Sequence, residues 1–488
     1  MKLSQLLKPW LELQSTDCDV LNINNDSRLV RAGDLFIAYP GALADGRIFM
    51  AQAIAAGAVA IVYEPENLPV SCTFPATVPC VAIPNLAGNL AAIANRFYDH
   101  PSKSLNVTGI TGTNGKTTIA YQLAQAHHLL GNPAAYIGTI GQGPVDNLSP
   151  LNNTTPDALC LQSLLHQYKQ QGLKQVCMEV SSHALSQKRV ATIEFKQAIF
   201  TNLTLDHLDY HLTMDAYATA KAQLFQGDKL ECAILNRDDS YYEFMSKRIN
   251  PAVKQISYGM QEQCDVQAVS WKVDLQGTNI EVRSPWGSFA LKINALGEFN
   301  IYNSLAICTS LLASGYAVDK VVHAMTHLKA APGRMEIVAT EPYVLVDYAH
   351  TPDALQNVLS TLSQLKKGKL WVVFGCGGDR DKSKRPVMGQ AAGSIADKII
   401  ITSDNPRSED PETIINEIAS GITSSVGIHC IINREEAIAY ALNNAAINDI
   451  IVIAGKGHES YQQIGSVKYD FSDQEVVKRW IQRSKVST

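Results

Sequence analysis

The run Val107-Thr108-Gly109-Ile110-Thr111-Gly112-Thr113-Asn114-Gly115-Lys116-Thr117-Thr118 joins residue types that suit a polyphosphate. Gly112 and Gly115 let backbone N–H groups turn toward phosphate oxygens without a Cβ in the way. The helical pattern that follows, Ile119 to Leu130, adds unpaired N–H groups and the positive end of its dipole. Lys116 supplies a point charge for the outer phosphates, and the Thr117 hydroxyl a ligand for the magnesium that travels with a nucleotide. The loop is shorter than the common phosphate-loop pattern, because Ile110 stands where that pattern has its first glycine. An ordinary strand-to-helix turn can look like this. The β-branched run before it and the helix after it favour the nucleotide.

Three more clusters follow strand-like segments, where open α/β sheets place their ligands. In Glu179-Val180-Ser181-Ser182-His183 the carboxylate is placed either to hold magnesium or to form a cap or strand-end ion pair, and position alone leaves both open. Asp206-His207-Leu208-Asp209-Tyr210-His211 crowds ionisable groups together. Its His-x-x-x-His spacing lacks the Glu that a zincin carries after the first histidine, but the crowding favours a metal or phosphate site over a plain polar loop. Lys221 lies beyond, in the helical pattern Met214 to Phe225 among Ala218, Ala220 and Ala222. Spacing assigns it no function. The last cluster combines Gly375-Cys376-Gly377-Gly378-Asp379-Arg380-Asp381, Asp404-Asn405-Pro406-Arg407 and Gly455-Lys456-Gly457-His458-Glu459. Two guanidinium forks and a carboxylate suit a zwitterion: arginine takes a carboxylate bidentately and Glu459 takes an ammonium.

The elements that must position these groups alternate in type. Strand patterns at Asp34–Ala38, Ala58–Val62 and Cys80–Pro84 surround a helical spacing from Gly46 to Ala56, and a helix from Asn85 to Tyr98 leads to a linker at His100-Pro101-Ser102. After the phosphate loop come an amphipathic helix, Ala158 to Gln170, and strands at Gln175–Val180, Ala198–Asn202 and Cys232–Asn236. Residues 254–296 read as more β-rich, and a helix runs from Ile301 to Ser314. The pattern restarts near Ala331-Pro332-Gly333-Arg334, with strands at Val344–Tyr348, Leu370–Phe374, Lys398–Thr402 and Ile450–Ala454. The expected fold class is α/β in three domains. A small N-terminal α/β domain spans 1–86, and a central mostly parallel sheet with an added β section spans 87–333. A doubly wound C-terminal domain spans 334–488.

Composition agrees with a large soluble protein. The chain has 488 residues, 46% hydrophobic and 18% charged, too long for one core and too apolar for disorder. A net charge of −5 argues against a broad nucleic-acid surface. No apolar run reaches a membrane span, and no signal-peptide pattern opens the sequence, which suggests the cytoplasm. The ten cysteines show no CxxC pair and read as reduced, mostly buried thiols rather than zinc ligands.

These clusters, in this order, resemble the Mur ligase family of peptidoglycan synthesis. The resemblance rests on Thr111–Thr118, Glu179–His183, Asp206–His211, Gly297-Glu298-Phe299-Asn300 and Asp347-Tyr348-Ala349-His350. Asp26-Ser27-Arg28 with Gly33-Asp34-Leu35-Phe36 is similar to a uridine-nucleotide domain, and Asp404-Asn405-Pro406-Arg407 to the signature of the branch that adds meso-2,6-diaminopimelate. The resemblance implies an amide ligase using ATP and Mg2+. It would join diaminopimelate to UDP-N-acetylmuramoyl-L-alanyl-D-glutamate through an acyl phosphate, without nucleic acid. By the same resemblance Gly112, Thr113, Asn114, Gly115, Lys116, Thr117, Thr118 and Asn300 serve ATP. Thr117, Glu179, His207 and a carbamylated Lys221 would hold magnesium, and Lys116, Glu179, His207 and Lys221 would carry catalysis. Asn25, Ser27, Ala42, Leu43, Ala44, Asn153, Thr154, Thr155, Ser181, Gln187 and Arg189 fall at positions for the UDP substrate. Arg380, Asp404, Asn405, Pro406, Arg407, Gly455 and Glu459 fall at positions for diaminopimelate. Ala184 and Leu212 replace glycines common in relatives. The competing readings are an L-lysine-adding ligase of the same family and a phosphate-loop ATPase acting on a protein partner.

Overall fold

In a computed structural model of the chain, residues 1–13, 17–41, 44–70, 72, 74, 77–423 and 427–486 are described, with side chains to 483. Two compact units emerge, Met1–Ser257 and Tyr258–Thr488, and the chain passes from one to the other within the strand Lys254–Gly259.

The first unit holds two parallel sheets. The smaller has the strands Asn22–Asn24, Asp34–Ala38, Ala60–Tyr63 and Cys80–Ala82 in that order. Every residue of Asp34–Ala38 is buried, as expected of a parallel strand covered on both faces. Leu3, Leu6 and Leu7 of a short helix share this core with Leu86, Leu90 and Ile93 of the helix Leu86–Phe97. The helix expected from Gly46 to Ala56 is instead a 3-10 turn, Gly46–Phe49, followed by an α-helix, Met50–Ala55. Asp45 shapes that start: its carboxylate accepts from the Arg47 N–H and pairs with the buried Arg47 guanidinium.

In the larger sheet, Cys232–Asn236, Phe195–Phe200, Asn106–Thr111, Gln175–Glu179 and Ala134–Gly138 run parallel in that order, with Gly141–Gly143 antiparallel at the edge. The strand Asn106–Thr111 therefore has neighbours on both sides, and the loop at its C-terminal end leaves the middle of the sheet. The helix Met214–Ala222 starts with Thr213 capping the Ala216 N–H. It stops short of the expected Phe225, because a 3-10 turn over Gln223–Gln226 puts both Leu224 and Phe225 into the core.

The second unit begins with an antiparallel meander, Val266–Asp274, Gly277–Ser284 and Gly287–Ile293, which is the added β section. Burial alternates strictly through its middle strand, with Ile280 and Val282 inside and Asn279, Glu281 and Arg283 outside. The helix Glu298–Ala313 follows. Six strands then form a sheet in the order Glu336–Thr340, Tyr343–Asp347, Ile450–Ala454, Leu370–Phe374, Lys398–Ile401 and Gly427–Cys430. All but the first are parallel. The late strand Ile450–Ala454 inserts between two earlier ones, so its end lies at a topological switch point, where open α/β sheets place their ligands. A small hairpin, Tyr461–Ile464 with Val467–Asp470, lies beyond the last of these strands. The ten cysteines are all free thiols; five are buried, four half-buried and Cys430 exposed, so burial is less complete than expected.

Candidate active site

The loop from Gly112 to Gly115 joins the strand Asn106–Thr111 to the helix Lys116–Leu129. Gly112 is required twice over: its φ is +151°, and a Cβ there would lie 1.8 Å from the Thr201 Oγ1. Thr201 in turn donates to the Asn114 carbonyl at 2.6 Å, and Asn202 Oδ1 accepts from the Asn114 N–H at 2.9 Å. The neighbouring strand end thus holds the loop open. Lys116 folds back over it, its Nζ donating to the Gly112 and Thr113 carbonyls at 2.9 and 2.8 Å.

Beneath the loop the Thr117 hydroxyl donates to Glu179 Oε2 at 3.0 Å. Glu179 is buried, and its other oxygen accepts from the Tyr136 hydroxyl at 2.5 Å and the Thr139 N–H at 2.9 Å. The structure therefore brings Thr117 and Glu179 together as a pair of hard oxygen ligands, the type magnesium takes. Tyr136 and Thr139, which fix the carboxylate, escaped the sequence reading because nothing in their spacing ties them to Glu179.

Lys221 is only 1% exposed, and its Nζ donates to the Gly112 carbonyl at 2.7 Å. Tyr217 lies one turn earlier on the same helix, and its ring sits 4.5 Å from that nitrogen. Burial drives the Lys221 pKa well below the ordinary lysine range; Lys116 adds to the effect and Asp206 opposes it. His207 lies alongside in a cluster of rings, its centroid 5.1 Å from His183 and 6.0 Å from Tyr217. His211 stacks on Tyr217 and its Nε2 meets the Ser182 hydroxyl at 2.9 Å. Burial, and then the neighbouring positive charges, hold His183 and His211 below the usual histidine range; burial does the same to His207. Among the described residues no group of three or more His, Cys, Asp or Glu side chains is gathered to hold a metal. The expected set contains only Glu179 and His207 of those types.

A polar track runs from here toward the N-terminal sheet within the same unit. Thr154 Oγ1 meets Thr139 Oγ1 at 3.0 Å, and Thr155 Oγ1 donates to the Glu179 carbonyl at 2.9 Å and accepts from the Ser181 N–H at 3.1 Å. Arg189 donates to the Thr155 carbonyl at 2.8 Å and to Gln187 Oε1 at 2.6 Å. Tyr39 extends the track: Asn25 Nδ2 donates to its hydroxyl at 3.0 Å, and the charges of Asp157 and Arg189 reach it. Ser27 donates to Gln52 Oε1 at 3.2 Å, Asn153 is exposed, and Ala44 lies at the surface with its carbonyl accepting from the Gly41 N–H. Ala42 and Leu43 lie outside the described residues.

In the second unit, Asn300 is buried in the first turn of its helix, donating to the Leu296 carbonyl at 2.8 Å and accepting from Asn303 at 3.0 Å. The C-terminal clusters converge at the switch point. Asn405 Nδ2 donates to Glu459 Oε2 at 2.8 Å, and Gly455 leaves so little room that a Cβ would stand 2.7 Å from Asp404 Oδ2. Arg407 has a φ of +50°, and its Nη1 donates to the Gly378 carbonyl at 2.6 Å. Gly378 must be glycine, since a Cβ would meet the Pro406 carbonyl oxygen at 1.9 Å. Arg380 is exposed on that same turn. Lys456, passed over in the sequence, is fully buried among these groups.

A phosphate-type loop in a parallel sheet, followed by a doubly wound sheet with polar clusters at its strand ends, fits the plan of the Mur ligase family, and the chain belongs to it. Its catalytic domain matches residues 19–98, the Mur ligase middle domain 110–311, and the glutamate ligase domain 333–457. The chain is 42% identical over 481 residues to the UDP-N-acetylmuramoyl-L-alanyl-D-glutamate–2,6-diaminopimelate ligase of Chromobacterium violaceum, covering 96% of this chain and 97% of that one. A solved structure of a ligase of the same name is 37% identical with a TM-score of 0.73, covering 99% and 100% of the two chains. The MurF ligase of Thermotoga maritima, solved in complex with ADP, shares the fold at 19% identity and a TM-score of 0.65, covering 89% and 93%. No helix among the described residues is long and apolar enough to cross a membrane.

Proposed function

We propose that the chain joins meso-2,6-diaminopimelate to UDP-N-acetylmuramoyl-L-alanyl-D-glutamate using ATP. The near-full-length similarity to the diaminopimelate ligase carries this reading. A γ-carboxylate oxygen of the D-glutamate attacks the terminal phosphorus of ATP, the bond to ADP breaks, and an acyl phosphate results. An amine of diaminopimelate then attacks the acyl carbon, phosphate leaves, and an amide remains. Most of the rate comes from positioning and from neutralising charge around the moving phosphoryl group.

Gly112 to Thr118 cradle the polyphosphate, and Lys116 meets the outer phosphates. Thr117, Glu179, His207 and a carbamate on Lys221 would hold magnesium, which supplies charge neutralisation when bound. Neutral Lys221 is a competent nucleophile for carbon dioxide: its nitrogen forms the N–C bond, one C=O electron pair moves onto oxygen, and the amine proton leaves to solvent. The depressed pKa of this buried lysine supports that chemistry. Asn300 serves the adenine end. Asn25, Ser27, Ala42 to Ala44, Asn153 to Thr155, Ser181, Gln187 and Arg189 take the UDP substrate. Arg380, Asp404 to Arg407, Gly455 and Glu459 take the amino acid.

Function divides along the chain into a uridine part, a phosphate part and, from residue 334, an amino-acid part. The helix Leu86–Phe97 adds Leu86, Leu90 and Ile93 to the N-terminal core, which supports grouping it with the uridine part.

Phosphate release in the presence of ATP and the UDP-dipeptide should require diaminopimelate. Release without any amino acid would indicate a bare ATPase, and equal release with L-lysine would point to the lysine-adding branch. Separately, enzyme equilibrated with 13C-bicarbonate should show a carbamate carbon signal by NMR. Lys221→Ala should lose both that signal and turnover, without recovery in high bicarbonate. An active alanine variant would remove the carbamate from the mechanism.

A further inference from the structure

Lys456 has no role in the mechanism described so far. It follows the strand Ile450–Ala454 and is 0% exposed. Its Nζ donates to Glu459 Oε2 at 3.0 Å and to Asn405 Oδ1 at 3.2 Å, and it stands 3.9 Å from Asp404 Oδ1. Tyr461 offers a ring at 5.6 Å. Burying an ammonium this deeply is unfavourable unless its charge is compensated. Here two carboxylates share one buried ammonium. Arg434, the other buried cation nearby, is already paired with Asp473 through two hydrogen bonds at 2.8 Å. Asp404, Glu459 and Lys456 together carry a net charge of −1, which the charge of Arg434 also reaches.

We propose that Lys456 is a specificity-determining positioning residue for the amino-acid substrate. Its ammonium occupies Glu459 Oε2 and locks the Asn405 amide, leaving the cluster with a single negative charge to receive a single substrate ammonium. Asn405 is held from three sides, because the Gln463 N–H also donates to its Oδ1 at 2.8 Å. Its Nδ2 is thereby fixed on Glu459. Without the lysine, two carboxylates would face one vacated position, and Asn405 Oδ1 would keep only the Gln463 N–H of these two donors. The proposal rests on the reading of this crevice as the diaminopimelate site.

Lys456→Met keeps the length of the side chain and removes the charge. Its KM for diaminopimelate should rise at least about 30-fold, the low end for truncating one partner of a buried charged contact. The KM values for ATP and the UDP-dipeptide should stay near those of the wild type. Lys456→Ala should behave likewise, and millimolar methylammonium, filling the vacated position, should lower its KM for diaminopimelate, whereas potassium should not. A variant in which all three KM values rise together would make Lys456 a structural residue and overturn the proposal. So would one that folds only with methylammonium present, or one whose diaminopimelate KM is unchanged. If the wild-type enzyme does not use diaminopimelate at all, it is the reading of the crevice that fails.

Discussion

Lys116→Ala should lower turnover by at least about 10²–10³-fold, the loss that follows removal of one preorganised group facing transition-state charge. Two effects combine in this variant. The first is loss of the point charge for the outer phosphates. The second comes from the neighbourhood, because the Lys116 charge adds to burial in depressing the Lys221 pKa. Removing it moves Lys221 back toward the ammonium form, which cannot capture carbon dioxide. The variant should therefore show a weaker carbamate signal at neutral pH, recovering as the pH is raised, while phosphoryl transfer stays slow throughout. The fold should survive, because the loop keeps its contacts from Thr201 and Asn202. Near-wild-type turnover in a folded variant would defeat the assignment.

Arg407→Ala should lose the preference for diaminopimelate. That substrate differs from L-lysine by a second carboxylate, and a site that pairs this group leaves a guanidinium unmatched when lysine binds. Discrimination of this kind reaches roughly 10⁴–10⁵ in favourable cases. One nitrogen of Arg407 is committed to the Gly378 carbonyl, which aims the rest of a five-donor fork. The variant should raise the KM for diaminopimelate with little change for ATP or the UDP-dipeptide, and kcat/KM values for the two amino acids should converge. Steady-state kinetics with both amino acids decides the matter. An unchanged preference would reduce Arg407 to a loop-forming residue.

Much of the framework was legible because it follows from local rules. The phosphate loop announces itself by glycines between a β-branched run and a helix, and the strands at Leu370–Phe374 and Ile450–Ala454 by unbroken apolar runs. What the sequence withheld is whatever depends on distant segments meeting. Lys221 sits among alanines like any surface lysine, and only the Gly112 carbonyl and the Tyr217 ring reveal it as buried. Lys456 lies inside a glycine turn that was read for its neighbours, and its role emerges when Asn405 and Glu459 close around it. His183 belonged to a motif but gained its setting only beside His207 and Tyr210. The short helix Leu3–Leu7 and the hairpin at Tyr461–Asp470 were too brief for periodicity to show.

The turn bearing Arg407 is clasped from outside. Its N–H donates to the Gln463 carbonyl at 3.1 Å, and its own carbonyl accepts from the Gly465 N–H at 2.7 Å. The hairpin thus holds the left-handed backbone at residue 407 through main-chain atoms alone. The two main-chain bonds of this clasp do not involve the side chain at residue 407. A point substitution to asparagine, which tolerates the left-handed region well, should leave the clasp intact while removing the guanidinium. Two main-chain hydrogen bonds from the hairpin, not the arginine side chain, therefore set the path of the chain past residue 407.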